Sequence, residues 1–309
     1  MYKVQVASHL KFTDEQKKEL EAVSDQLSFV YQKDTDADII LGNVKADSLK
    51  EYKNLKWIQT AAVGIDNYIK KGVLNEGVIL TNAVNVHSRE VAEHTLAMIL
   101  NMVKKLYLYR DDQHKHLWSD EGMVKQYDEL KVCIVGLGDI GNTLAKMLKA
   151  LGMYVIGVKR TMILKPNHID ELYTSEDLVK AISDVDVVVT VLPGNKENEN
   201  LFSLETFKKM RPDAIMINVG RGNLYSEETL KEVLDNKIIA AISSDVYLKE
   251  PLDPSSDLWD KRNLIVTPHV AGGYHLYSAI ESFLDLCKDN LNRYLNGEKL
   301  KNIVTIREE

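Results

Sequence analysis

The chain has 309 residues, of which 45% are hydrophobic and 28% charged, and carries a formal net charge of −7. That length exceeds what one core ordinarily organises, so two domains are expected, and the acidic balance offers nothing for nucleic acid or an anionic membrane surface to hold. The only cysteines, Cys133 and Cys287, are too few for a disulfide framework or a thiolate metal site and suit a reducing compartment.

In chain order, Met1-Tyr2-Lys3-Val4-Gln5-Val6 opens directly on an alternating strand. No apolar leader core precedes it and no later run reaches membrane-spanning length, so a cytoplasmic location is expected. Strand-like runs cover 3–7, 38–41, 56–61 and 78–81, and a helix is predicted after Thr13, where Thr13 and Gln16 read as a capping box. This alternation predicts a small parallel α/β domain. From 88 to 109, Val91, Ala92, Thr95, Leu96, Ile99, Val103 and Leu106 recur at helical spacing with no proline or glycine between them. One long helix is predicted there, sufficient to carry the chain from one domain to the next.

The run Val132-Cys133-Ile134-Val135 then meets Gly136-Leu137-Gly138-Asp139-Ile140-Gly141. Leu144, Ala145, Leu148 and Leu151 follow at helical spacing, Gly152 stops the helix, and Tyr154-Val155-Ile156-Gly157-Val158 reads as the next strand. A strand that ends in Gly-x-Gly-x-x-Gly under a helix N-terminus is a seat for a dinucleotide. Glycine lets the backbone approach the pyrophosphate, and the first helical N–H groups and the helix dipole hold its charge. Strands at 131–135, 154–158, 185–191, 214–218, 238–243 and 264–267, separated by helical patterns, predict a doubly wound sheet with its ligand at the carboxyl edge. An amphipathic helix over 277–295 leads to Ile303-Val304-Thr305, which is expected to return to the first domain.

Three motifs follow the later strands: Ile217-Asn218-Val219-Gly220-Arg221-Gly222, Ser244-Asp245-Val246-Tyr247-Leu248-Lys249-Glu250-Pro251 and Val266-Thr267-Pro268-His269-Val270-Ala271-Gly272. A cation, a carboxylate and an imidazole thus leave neighbouring strands on one side. In this order behind the glycine motif, they resemble the D-isomer-specific 2-hydroxyacid dehydrogenase family, in its glyoxylate/hydroxypyruvate reductase-like, NADP-type form. Ala62-Val63-Gly64-Ile65-Asp66 and Val91-Ala92-Glu93-His94 extend the resemblance over essentially the whole chain.

The resemblance implies an α/β protein of two doubly wound parallel-sheet domains: a Rossmann cofactor domain (99–276) inserted into a smaller flavodoxin-like substrate domain (1–98 with 277–309), with a cleft that closes on substrate. It implies a catalytic trio of Arg221, Glu250 and His269. Reduction of a 2-oxo acid needs a hydride at the carbonyl carbon and a proton at its oxygen. Imidazolium can supply that proton, a nearby carboxylate favours the charged ring, and a guanidinium pairs with the substrate carboxylate. Backbone N–H groups of Val63 and Gly64 are expected on that carboxylate as well. Cofactor contacts are implied at Gly136, Gly138, Asp139, Ile140, Gly141, Leu192, Pro193, Val219, Gly220, Asp245, His269 and Gly272, with Asp245 at the nicotinamide carboxamide. Asp66, His87, Arg89 and Trp118 lie in regions that shape the family's cleft. A homodimer through the cofactor domain is implied, and no metal.

The second strand of the cofactor domain ends Val158-Lys159-Arg160-Thr161, and Lys159 stands where the family's NAD enzymes carry Asp. Two cations and a hydroxyl favour the extra phosphate of NADP(H), with no carboxylate in the segment to repel it, although NAD(H) remains possible. Tyr225-Ser226 replaces the family's usual Val-Asp, and Ser226 still serves as a helix N-cap. The expected reaction is NADPH-dependent reduction of a small 2-oxo acid, glyoxylate or hydroxypyruvate first, to the D-2-hydroxy acid. The alternatives are a D-3-phosphoglycerate dehydrogenase-like enzyme and a non-enzymatic dinucleotide-sensing protein like the corepressors that resemble this family.

Overall fold

Short runs of valine, isoleucine and leucine separated by polar helices assemble in the computed structural model into two parallel sheets. Residues 1–304 are described apart from Ile163 and Tyr274. The chain divides into one unit of Met1–His87 with Tyr274–Glu309 and a second of Ser88–Gly273.

In the first unit, β1 (Tyr2–Val6), β2 (Leu27–Val30), β3 (Ile39–Leu41), β4 (Trp57–Gln59) and β5 (Ile79–Thr81) form a sheet of order β2-β1-β3-β4-β5, all pairs parallel. That is the flavodoxin-like order. Helix α1 (Asp14–Glu21) begins at the expected capping box: Gln16 N donates to Thr13 Oγ1 at 3.2 Å and Thr13 N to Gln16 Oε1 at 2.9 Å.

The second unit contains α2 (Ser88–Val103), α3 (Leu106–His114), β6 (Lys131–Val135), α4 (Asp139–Ala150), β7 (Tyr154–Lys159), β8 (Glu171–Thr174), α5 (Leu178–Ile182), β9 (Val187–Thr190), α6 (Leu204–Phe207), β10 (Ile215–Asn218), α7 (Glu227–Asp235), β11 (Ala241–Ser244) and β12 (Leu264–Val266). Its sheet order is β12-β11-β10-β9-β6-β7-β8, all parallel. The chain winds outward from β6 in one direction and from β9 in the other, so these strands flank the switch point where such sheets bind ligand. Because both faces are covered, the central strands are near-continuous apolar runs. Alternate residues go to opposite cores, with Cys133 and Val135 against Val188 and Phe207, and Val132 and Ile134 against Leu144 and Ile217.

The last helix, α8 (Tyr277–Leu295), belongs to the first unit; its Phe283, Leu284, Cys287 and Leu291 share a core with Val4, Ile39 and Trp57. Beyond it, Ile303 bridges antiparallel to Thr81 and Val304 N donates to Leu80 O at 2.8 Å, while Thr305 lies outside the described residues.

Four features depart from the sequence reading. Strands β2 and β8 have no counterpart in the pattern of the sequence; both are sheet edges whose residues are mostly half-buried, so neither carries a strong alternation. The helix predicted over 88–109 is two helices, because Lys105 takes a left-handed φ of +56°. No glycine marks this break; instead the Lys105 N–H bonds Met102 O at 3.1 Å and its ammonium donates to the Glu121 carbonyl. The first boundary falls at 87/88 rather than 98/99, since Val91, Ala92, Ile99 and Val103 of α2 share the core of Leu144, Ala145 and Leu148 on α4. The second falls at 273/274 rather than 276/277.

Candidate active site

The three glycines after β6 have three separate reasons to be there. Gly136 turns the chain at φ +111°, and a Cβ on it would sit 2.6 Å from Val191 O. A Cβ on Gly141 would sit 2.1 Å from Gly136 O, so the first turn of α4 can lie against the loop only without a side chain. Gly138 is exposed, and a Cβ there would meet nothing within 4 Å. No protein contact therefore requires glycine at 138, and that face is open to the close approach of a ligand. Gly138 is the N-cap of α4, so the capping residue itself gives the first N–H groups of the helix no side-chain acceptor. These features of the loop from Gly136 to Gly141 fit a dinucleotide-binding turn.

Leu192 and Pro193 leave β9, and Val219 and Gly220 leave β10. The two loops pack so closely that a Cβ on Gly220 would lie 2.6 Å from Leu192 N. Asn218, the last residue of β10, is fully buried and uses every position of its amide. Its Oδ1 accepts from Thr190 Oγ1 and Gly220 N at 3.0 Å each; its Nδ2 donates to Arg221 O at 3.0 Å and to the Tyr225 hydroxyl at 2.9 Å. The Arg221 backbone is fixed by this clamp. Its guanidinium donates to Gly220 O at 2.7 Å and the side chain is half-buried. Gly222 lets the loop press on the next one, since a Cβ there would lie 2.0 Å from the carbonyl carbon of Tyr247.

After β11, buried Asp245 ties the last two loops together. Its carboxylate accepts from Thr267 Oγ1 at 2.6 Å, Val270 N at 3.0 Å and Ala271 N at 3.0 Å, and its carbonyl accepts from His269 N at 2.8 Å. His269 is held at φ +54°, a conformation that a non-glycine residue keeps only when its surroundings impose it. The ring Nδ1 lies 2.7 Å from Glu250 Oε2, and Glu250 Oε1 accepts from Tyr247 N at 2.9 Å. One carboxylate thus orients the imidazole through one oxygen and is itself oriented through the other. Both side chains remain substantially open to solvent, at 48% and 37% exposure, and so are accessible to a small molecule. Gly272 follows in the same loop.

Nothing in the local sequence marks Tyr225 as a link between loops. Its fully buried hydroxyl joins Asn218 Nδ2 to Ser244 Oγ at 2.9 Å each, and Ser244 Oγ donates to Val246 O at 2.7 Å, so it links the loop of Arg221 to that of Asp245. Burial pushes this phenol above its ordinary pKa, keeping it a neutral donor. Ser226 is the N-cap of α7, accepting from Thr229 N at 3.1 Å.

At the end of β7, Lys159 Nζ donates to Leu137 O at 3.1 Å, inside the glycine loop. Arg160 and Thr161 are exposed, and Arg160 Nη1 lies 3.4 Å from Glu197 Oε2. The segment itself contains no carboxylate, but the fold brings one to it from the turn after β9; sequence distance hid this residue.

In the first unit, the loop holding Val63 and Gly64 follows β4. Asn82 Nδ2 donates to Val63 O at 3.0 Å, and Thr60 Oγ1 and Ala83 N donate to Ala62 O at 3.0 and 3.1 Å. His87 is buried with Nε2 3.0 Å from Ala61 O, and Arg89 pairs with Glu93 at 2.7 Å. Trp118 is fully exposed, which rules out packing within this chain's core.

Residues 96–271 match the family model for the NAD-binding domain of D-isomer-specific 2-hydroxyacid dehydrogenases. A probable 2-ketogluconate reductase from Dictyostelium discoideum is 30% identical over 292 residues, 91% of this chain and 86% of that protein. A D-3-phosphoglycerate dehydrogenase from Archaeoglobus fulgidus is 29% identical over 74% of this chain but only 43% of its own length. Among solved structures, an NADPH-dependent glyoxylate/hydroxypyruvate reductase from Sinorhizobium meliloti, in complex with NADP and sulfate, superposes with a TM-score of 0.82 at 25% identity, covering 99% of both chains.

Proposed function

The chain belongs to the D-isomer-specific 2-hydroxyacid dehydrogenases, and on that premise we propose that it reduces a small 2-oxo acid, of the glyoxylate or hydroxypyruvate kind, to the D-2-hydroxy acid with NADPH as the favoured donor. The observation that carries this reading is the 2.7 Å contact between His269 Nδ1 and Glu250 Oε2. A bound dihydronicotinamide supplies the hydride to the carbonyl carbon. His269, as imidazolium, donates its Nε2 proton to the carbonyl oxygen, since Nδ1 is engaged with Glu250. The carboxylate holds the ring in the orientation this requires. Arg221 pairs with the substrate carboxylate and draws charge from the ketone oxygen as it develops. In the reverse direction His269 is the base.

Asp245, whose carboxylate already orders the His269 loop, and the end of β7 are the residues that would hold the carboxamide and the ribose of the cofactor. The NADP in the related S. meliloti enzyme supports the choice of cofactor. A homodimer through the second unit, with exposed Leu117, Trp118 and Met123 as apolar contacts, completes the reading; equilibrium sedimentation measures it directly.

Replacing His269 with Ala tests the mechanism. Turnover of NADPH with the 2-oxo acid should fall by about 10²–10⁴, while the Kd for NADPH stays within a small factor of wild type. Wild-type turnover by the variant removes His269 as the acid.

A further inference from the structure

We infer that Glu197 is a specificity-determining residue of the cofactor site: its carboxylate competes with the extra phosphate of NADPH for Arg160 and holds the preference for NADPH below what Arg160 alone would provide. This rests on the reading of the end of β7 as the phosphate position.

The three candidate phosphate ligands there are not equivalent. Lys159 is engaged elsewhere: its ammonium donates to Leu137 O at 3.1 Å, between the first two glycines. Asn142 Nδ2 donates to the same carbonyl at 3.1 Å and to Gly138 O at 2.7 Å. Lysine and amide together fasten the glycine loop, which either cofactor needs. Arg160 and Thr161 are left for the phosphate, and only Arg160 is charged.

Arg160 already has an anion. Glu197 Oε2 lies 3.4 Å from Nη1, with the two side chains 69% and 74% exposed. The short turn that presents Glu197, Lys196–Asn198, is anchored from several sides. Asn195 Oδ1 accepts from Asn198 N at 3.1 Å, Asn198 Nδ2 donates to Pro193 O at 2.9 Å, and Asn223 Nδ2 donates to Asn195 O at 3.1 Å. Glu197 is therefore held from the β9 side over the cation of β7. A phosphate on the ribose must displace this carboxylate from Arg160 and then remain close to it. NADH, with a hydroxyl in place of the phosphate, meets no such repulsion. An exposed pair is weak in stability terms, but a dianion beside a carboxylate in the same few ångströms feels it directly.

Fluorescence titration of NADPH and NADH binding tests the inference in wild type, Glu197→Gln, Arg160→Ser, the double variant and Lys159→Met. Glu197→Gln should raise the ratio Kd(NADH)/Kd(NADPH) by about three- to tenfold, by less at high salt. Arg160→Ser should lower that ratio, and Glu197→Gln should raise it by less in the Arg160→Ser background, where only the direct repulsion of the phosphate is relieved. Lys159→Met should weaken both cofactors by the same factor. An unchanged ratio in Glu197→Gln, with Arg160→Ser lowering it, overturns the inference and leaves the cofactor reading standing. An unchanged ratio in Arg160→Ser overturns the cofactor reading and the inference with it. A loss confined to NADPH in Lys159→Met makes Lys159 the phosphate ligand and overturns the competition at Arg160.

Discussion

The carboxyl edge of β10, β11 and β12 and the carboxyl end of β7 belong to one sheet but are built differently. At the first, Asn218 uses every amide position, Asp245 takes three hydrogen bonds on its carboxylate, and His269 is fixed through both its backbone and its ring. At the second, Arg160 and Glu197 share one 3.4 Å contact in open solvent. Proton transfer depends on geometry set before the substrate arrives, because donors that must reorganise lose most of their value. Discrimination between two cofactors depends on net local charge, which an exposed cation and anion set adequately. The lesson is that the edge carrying Arg221, Glu250 and His269 is densely tied while the end of β7 is not.

The sharpest way to break this contrast is at Glu250. Glu250→Gln keeps the size of the side chain but replaces the carboxylate that orients the His269 ring, and turnover should fall by roughly 10²–10⁴ with cofactor Kd unaffected; a loss under twofold in steady-state kinetics would mean that His269 needs no partner. Gly222→Ala comes next. Its Cβ would lie 2.0 Å from the carbonyl carbon of Tyr247, so the Arg221 loop must shift, at about 1–3 kcal/mol in chemical denaturation and with a raised KM for the 2-oxo acid. A wild-type KM would show that the packing of these loops does not position Arg221. The smallest effect is expected for Tyr225→Phe, which removes only the hydroxyl between Asn218 and Ser244. About 1 kcal/mol of stability should be lost, with kcat affected more than cofactor binding; equal losses in both would make Tyr225 a general support rather than a link between the two loops.

The cofactor loop was legible because its physics is local. Spacing alone separates a turning glycine, an approachable one and a packing one, and Gly136, Gly138 and Gly141 occupy those three situations. The core strands were legible for the same reason, being buried on both faces. Edge strands β2 and β8 were not, since half-buried residues leave no clear period. The break at Lys105 could not be read, because a lysine takes a left-handed conformation there through a partner sixteen residues on, at Glu121, rather than through its own chemistry. The motifs named His269, Glu250 and Arg221 as side chains leaving one edge, but the 2.7 Å spacing and the tie from Tyr247 N to Glu250 are tertiary facts. Glu197 is the instructive omission: it stands 37 positions from Arg160, and no local pattern links them.

The most direct measurement is the absorbance at 340 nm of NADPH and NADH, in parallel, against glyoxylate, hydroxypyruvate, 3-phosphohydroxypyruvate, phenylpyruvate and 2-oxoisocaproate. The account predicts rapid NADPH oxidation with glyoxylate or hydroxypyruvate and a smaller rate with NADH. Binding of both cofactors without consumption of either, across the whole panel, would contradict it and leave a dinucleotide sensor in its place.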